Sequence, residues 1–244
     1  MSGEMKFLDF PHSEYKARIE KARENMHEKK LDVLLLTEKA NLIYFSGYRT
    51  VLYISKFRPF ICVLPRDRDP VMVVPDLEEA LCRKTSWIDD VRAWGSTAKI
   101  ANPITLTKET LSELNLERGR IGMEFGLGCR LGMTWIEFER LRNEMPEAEF
   151  VNCSDLIWRV RSVKSEEEIR RIEKACEITD KAVEAAWSIL HEGVTETELD
   201  RAIKRTIVEE GGDGLAFGVV RSGRHRLDML NAYPSDYKIQ TGDL

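Results

Sequence analysis

The chain has 244 residues, 43% hydrophobic and 32% charged, with a net charge of −5 and a pI near 5.6. That mixture predicts a soluble globular protein with enough chain for one large domain or two modest ones. It excludes a basic nucleic-acid arm, and no apolar run reaches the roughly eighteen residues of a membrane span.

The N-terminus, Met1 to Lys6, lacks the apolar core of a signal peptide, so the cytoplasm is the default location. Ser13 to Lys30 reads as a helix with a sparse apolar stripe at Tyr15, Ile19, Ala22 and Met26. Leu31 to Leu36 is a short apolar run, read as a buried strand, and a helix from Glu38 to Phe45 follows, stopped by Ser46-Gly47. Phe60 to Leu64 and Val71 to Val74 read as a hairpin with a charged tip, Arg66 to Pro70. Val91 to Trp94, Ile121 to Phe125 and Phe150 to Cys153 are further strands. Helices near Leu77–Lys84, Ile104–Leu114 and Thr134–Met145 separate them, the last opened by a Thr134/Glu137 capping box. The hairpin makes the sheet mixed rather than wholly parallel.

The texture changes over about 155–163. Ser165 to Glu168 is a second capping box, with acids at the positive end of the helix dipole. Ile169, Ile172, Cys176, Thr179, Val183, Ala186 and Leu190 then form one stripe of a long helix. Thr195 and Glu198 box a further helix with apolar residues at Leu199, Ala202, Ile203 and Ile207. Leu215 to Val220 and Gln240 to Leu244 read as strands. The reading is two domains, 1–155 and 156–244.

The glycine-rich stretch Gly122 to Gly132 has the spacing G-x-G-x-x-x-G after Gly126, which does not fit a dinucleotide loop, so a glycine-rich turn is preferred. Cys62, Cys82, Cys129, Cys153 and Cys176 show no C-x-x-C pair and read as small hydrophobes in a reducing compartment. His12, His27, His191 and His225 show no metal-site spacing.

Arg161-Ser-Val-Lys-Ser165, Glu168-Ile169, Ala175, Gly193, Thr195-Glu196, Pro234 and Gly242-Asp243-Leu244 form an ordered series. In that order the series resembles the start of the catalytic domain of the creatinase, prolidase and aminopeptidase P (pita-bread, M24-type) family. Tyr44-Phe-Ser-Gly-Tyr48 resembles part of that family's N-terminal domain. The resemblance implies an α/β N-terminal domain with a mixed sheet, followed by an incomplete α+β pita-bread domain truncated before the metal ligands. It implies a cytoplasmic homodimer hydrolysing C–N bonds, Xaa-Pro peptides above all, with a small-molecule or short-peptide substrate and no nucleic-acid or membrane partner. Two divalent ions (Mn, Co or Zn) held by two Asp, one His and two Glu would activate water. None of those five positions falls within residues 1–244, so no metal is expected on this chain.

The family's assisting His is replaced by Asn231, and a carboxamide hydrogen-bonds but does not titrate near neutrality. That substitution keeps open a non-catalytic binding or scaffold protein on the same fold. Substrate-binding candidates are Tyr48 and Arg58, in a loop cluster with Arg49, Tyr53 and Lys56, and Arg221 and Arg224 flanking the segment that leads to Asn231.

Overall fold

The computed structural model describes residues 6–55, 57–95, 97–226, 228–229 and 231–243. By contacts the chain divides into two compact units, Met1–Val163 and Lys164–Leu244.

The first unit is built on six strands: β1 Val33–Leu36, β2 Ile61–Pro65, β3 Val71–Pro75, β4 Asp90–Trp94, β5 Arg120–Met123 and β6 Glu149–Asn152. They lie in the order β4-β3-β2-β1-β5-β6. β1 and β5 run parallel, with Val33 opposite Ile121, while β2 is antiparallel to both β1 and β3. The sheet is therefore mixed, as the charged hairpin tip implied.

Side chains alternate strictly across the sheet. Leu34, Leu36, Cys62, Leu64, Met72 and Val74 face one core, while Val33, Leu35, Ile61, Val63, Val71 and Val73 face the other. Both faces are covered, which is why the strands read as unbroken apolar runs. Helices α1 His12–Glu28, α2 Lys39–Ser46 and α3 Glu79–Thr85 contribute to the first core. Helices α4 Pro103–Glu113 and α5 Trp135–Glu144 contribute to the second. The predicted Thr134/Glu137 capping box is formed on α5. Gly47 ends α2 in the left-handed region at φ 75°, which a glycine adopts without steric penalty.

One helix was not read from the sequence. Ser154–Ser162 forms α6, which packs on α1 and buries Leu156, Ile157 and Val160 in the first core. It makes residues 154–163 part of the first packed unit, so the contact division falls at the end of the 155–163 interval.

The second unit holds α7 Glu166–Ser188 and α8 Glu196–Glu209, each opened by the expected capping box. The stripe read on α7 is not its buried line. Ile178 and Ala182 pack against Ile207 of α8, while Ile169, Ile172 and Val183 are 45%, 50% and 42% exposed. Leu215–Val220 forms no strand. Among the described residues nothing pairs with it, and an apolar run without a ladder partner stays irregular. Residues 240–243 turn rather than extend, and the strand read there ends at Leu244, outside the described residues.

Candidate functional site

In the second unit the site is organised by one carboxylate. Glu196, fully buried in the first turn of α8, accepts six hydrogen bonds. Its Oε1 takes the Ser222 amide at 2.9 Å and the Ser222 hydroxyl at 3.3 Å. Its Oε2 takes Arg221 at 2.9 Å, Arg226 at 3.2 Å, and the Ser235 amide and hydroxyl at 3.1 and 2.8 Å. Burial pushes the Glu196 pKa up, but the Ser222 and Ser235 donors and the Arg221 charge outweigh it and hold the carboxyl below the usual value.

The two ends of the segment 221–235 are thus clamped to one point. Arg221 also donates to the Tyr233 carbonyl at 2.9 Å, and Arg226 lies 4.6 Å from the centre of the Tyr237 ring. Between the clamped ends, Asn231 sits in an exposed turn. Its carboxamide is presented to solvent and can hydrogen-bond to a ligand without moving a proton.

The sequence offers Arg221 as an anion-binding side chain. Its side chain is only 5% exposed, and its charge is engaged by Glu196, so it holds the turn rather than offering a free guanidinium. Arg224 is exposed, on the short 3-10 turn Arg224–Arg226, and His225 beside it is exposed as well. The hub itself was not singled out from the sequence. The available signal was a second glutamate in a first turn whose capping box needs only one, Glu198.

In the first unit Tyr48 is fully buried, and its hydroxyl donates to Glu78. A phenol enclosed this way cannot meet a substrate directly; it anchors the loop through ring contacts with Tyr53 and Phe60. Arg49 pairs with Asp9 at 3.1 Å. Arg58 is exposed and lines a cleft. Lys56 lies outside the described residues.

A second buried carboxylate sits at the carboxyl end of β5. Glu124 accepts from the Thr37 amide at 2.6 Å and hydroxyl at 2.8 Å, the Glu38 amide at 2.9 Å and Asn41 Nδ2 at 2.7 Å. It thereby satisfies amides at the start of α2. The glycine-rich stretch is packed around this network. The Gly132 amide donates to Thr37 Oγ1 at 2.8 Å, and a Cβ on Gly132 would come within 2.1 Å of the Thr37 carbonyl oxygen. Close backbone approach accounts for that glycine.

Burial raises the Glu124 pKa above its ordinary 4.5, against the pull of its four donors. Between 4.5 and the raised value the folded chain keeps a proton that the unfolded chain has lost. Stability from this group therefore falls as pH rises through that window. Glu124→Gln should flatten this part of the first unit's stability profile, read by urea unfolding across mildly acidic pH. An unchanged slope would remove Glu124 as its source.

Among the described residues no three His, Cys, Asp or Glu side chains lie close enough to hold a metal ion.

The Creatinase/Prolidase N-terminal domain family matches residues 18–163, and Metallopeptidase family M24 matches residues 170–244. An Xaa-Pro dipeptidase of Pyrococcus furiosus is 28% identical over 229 residues, 94% of this chain and 59% of that protein. An uncharacterized peptidase of Staphylococcus aureus is 26% identical over 93% of this chain and 59% of its own length. The crystal structure of dipeptidase PepE from Mycobacterium ulcerans superposes with a TM-score of 0.78 at 26% identity, covering 96% of this chain and 59% of that one. The chain spans about 59% of the length of the curated relatives it matches.

Proposed function

Because this chain belongs to the creatinase/prolidase family, we propose that it is the N-terminal portion of a metal-dependent hydrolase of C–N bonds acting on Xaa-Pro dipeptides. The observation that carries this reading is the match of residues 170–244 to a metallopeptidase family, over a segment where the boxed helix α8 and the Glu196 clamp display an exposed turn. In the whole protein two divalent ions, Mn, Co or Zn, would supply activated water and polarise the scissile carbonyl. A cytoplasmic homodimer acting on short peptides accompanies the reading.

In this proposal Asn231 holds a substrate carbonyl or carboxylate by hydrogen bonding, while Arg58 and Arg224 offer exposed positive charge. Tyr48 and Arg221 take part only by fixing their loops.

The test is hydrolysis of an Xaa-Pro dipeptide by the whole protein with added Mn²⁺. Turnover well above blank is expected. Asn231→Ala should weaken substrate binding by about 1–3 kcal/mol, the scale of a lost buried hydrogen bond. If affinity and rate are unchanged, residue 231 is outside the site. Asn231 also favours a second reading, a non-catalytic binding or scaffold protein on this fold, because the residue cannot relay a proton. Metal binding without turnover would select that second reading.

A further inference from the structure

The first unit carries a cleft of about 420 Å³ at the carboxyl edge of its central strands. β1 and β5 are parallel neighbours, and each leads out of the sheet at this edge. The chain leaving β1 enters α2, whose Leu42 and Phe45 pack on one face; the chain leaving β5 reaches α5, whose Phe138 and Leu141 pack on the other. Adjacent parallel strands whose connections depart to opposite faces leave a crevice between them, and such crevices are where open α/β sheets take their ligands.

The lining is selective. Lys39, Arg58 and Arg130 all border the cleft. Among the described residues none of these three side chains has an ion-pair or hydrogen-bond partner. Arg18, Arg23, Arg66, Arg92, Arg118 and Arg159, by contrast, are each paired with a carboxylate. The acids nearby are committed. Glu38 Oε2 accepts the Arg130 amide at 3.3 Å, and Glu137, in the adjoining groove, closes the α5 capping box. Ile54, Phe60 and Leu131 add an apolar wall. The floor is held by the Gly132–Thr37–Glu124 chain of hydrogen bonds, so the cleft is preformed.

We propose that this cleft binds a small organic carboxylate with an apolar body, the anion held by Arg58 and Arg130 with Lys39 beside them and the apolar part lying along Phe60 and Leu131. Guanidinium groups match a carboxylate in fork geometry, and the wall rewards a hydrocarbon substituent that an inorganic anion lacks. The proposal gives Arg58, which the hydrolase reading sets beside a peptide substrate, a ligand within its own unit, and binding there needs no metal or turnover.

The experiment titrates the 244-residue chain with N-acetyl-leucine by calorimetry or ligand-observed NMR, with N-acetyl-leucinamide and inorganic phosphate as comparison probes. Saturable millimolar binding is expected for the carboxylate, weakening as salt is raised. The amide should bind about tenfold more weakly, and the double variant Arg58→Gln/Arg130→Gln should lose binding to a similar extent. Both arginines are exposed and unpartnered, so the variant should keep its fold, checked by its melting curve. Arg118→Gln, an exposed arginine paired elsewhere with Glu147, should bind as wild type does. Equal binding of acid and amide, an unaffected double variant, or phosphate binding as tightly as N-acetyl-leucine would each overturn the assignment.

Discussion

A chain ended at Asp155 should fail to fold its first unit, whereas one ended at Val163 should fold. The difference is α6. Leu156 and Ile157 have no exposed surface and Val160 retains 2%, all within the core that α1 covers. At about 1.5–3 kcal/mol for each fully buried aliphatic side chain, removing the three forfeits roughly 5–9 kcal/mol. That rivals the whole stability of an ordinary domain, about 5–15 kcal/mol. Polar ties are lost as well, among them Arg159 to Glu28 at 2.9 Å and Arg161 to Asn41 at 2.8 Å. Circular dichroism melts and urea titrations of the two fragments check the expectation. A 1–155 fragment melting cooperatively within a few degrees of 1–163 would show that α6 is dispensable.

Glu196→Ala should release the segment 221–235 while leaving the capped start of α8 in place. The substitution strands a side chain of Arg221 that is only 5% exposed and removes the acceptor of the Ser222 and Ser235 amides. Taking one partner from a buried ion pair costs about 3–5 kcal/mol. Amide hydrogen exchange should therefore speed up by orders of magnitude across 221–235, whereas the α8 amides should change little. Glu196→Gln keeps an acceptor oxygen but not the charge, and should fall between. The wild-type clamp has its own pH signature. Because the folded pKa is lowered, its contribution is complete above the ordinary value of 4.5 and is lost as pH falls through the folded value. Acid should loosen this clamp, whereas the Glu124 contribution grows as pH falls towards 4.5. Unchanged exchange at Ser222 and Ser235 in Glu196→Ala would remove Glu196 from its central place.

Elements whose cause is local are legible in the residues alone. The central strands were legible because a sheet covered on both faces demands uninterrupted apolar runs, as in Val33–Leu36 and Val71–Val74, while the edge strands β4 and β6 showed only short apolar stretches, Val91–Trp94 and Phe150–Cys153. Three capping boxes, the Gly47 stop and the Arg66–Pro70 hairpin were legible because each rests on residues at most a few positions apart. The family was legible from an ordered series, since order survives where single motifs are unspecific.

Tertiary structure decided the rest. α6 is a short helix with charged residues among its apolar ones, and only α1 lying across it reveals its buried side. The α7 stripe and the Leu215–Val220 run are apolar at the right spacings, yet burial and strand pairing require a partner surface that periodicity does not name. The hub at Glu196 gathers donors 25 to 39 residues away. The cationic cleft draws Lys39 from the start of α2 and Arg58 and Arg130 from two separate connections. Local propensity depends on neighbours in sequence, whereas desolvation, ion pairing and cleft lining depend on neighbours in space, and those exist only once the sheet has closed between its helices.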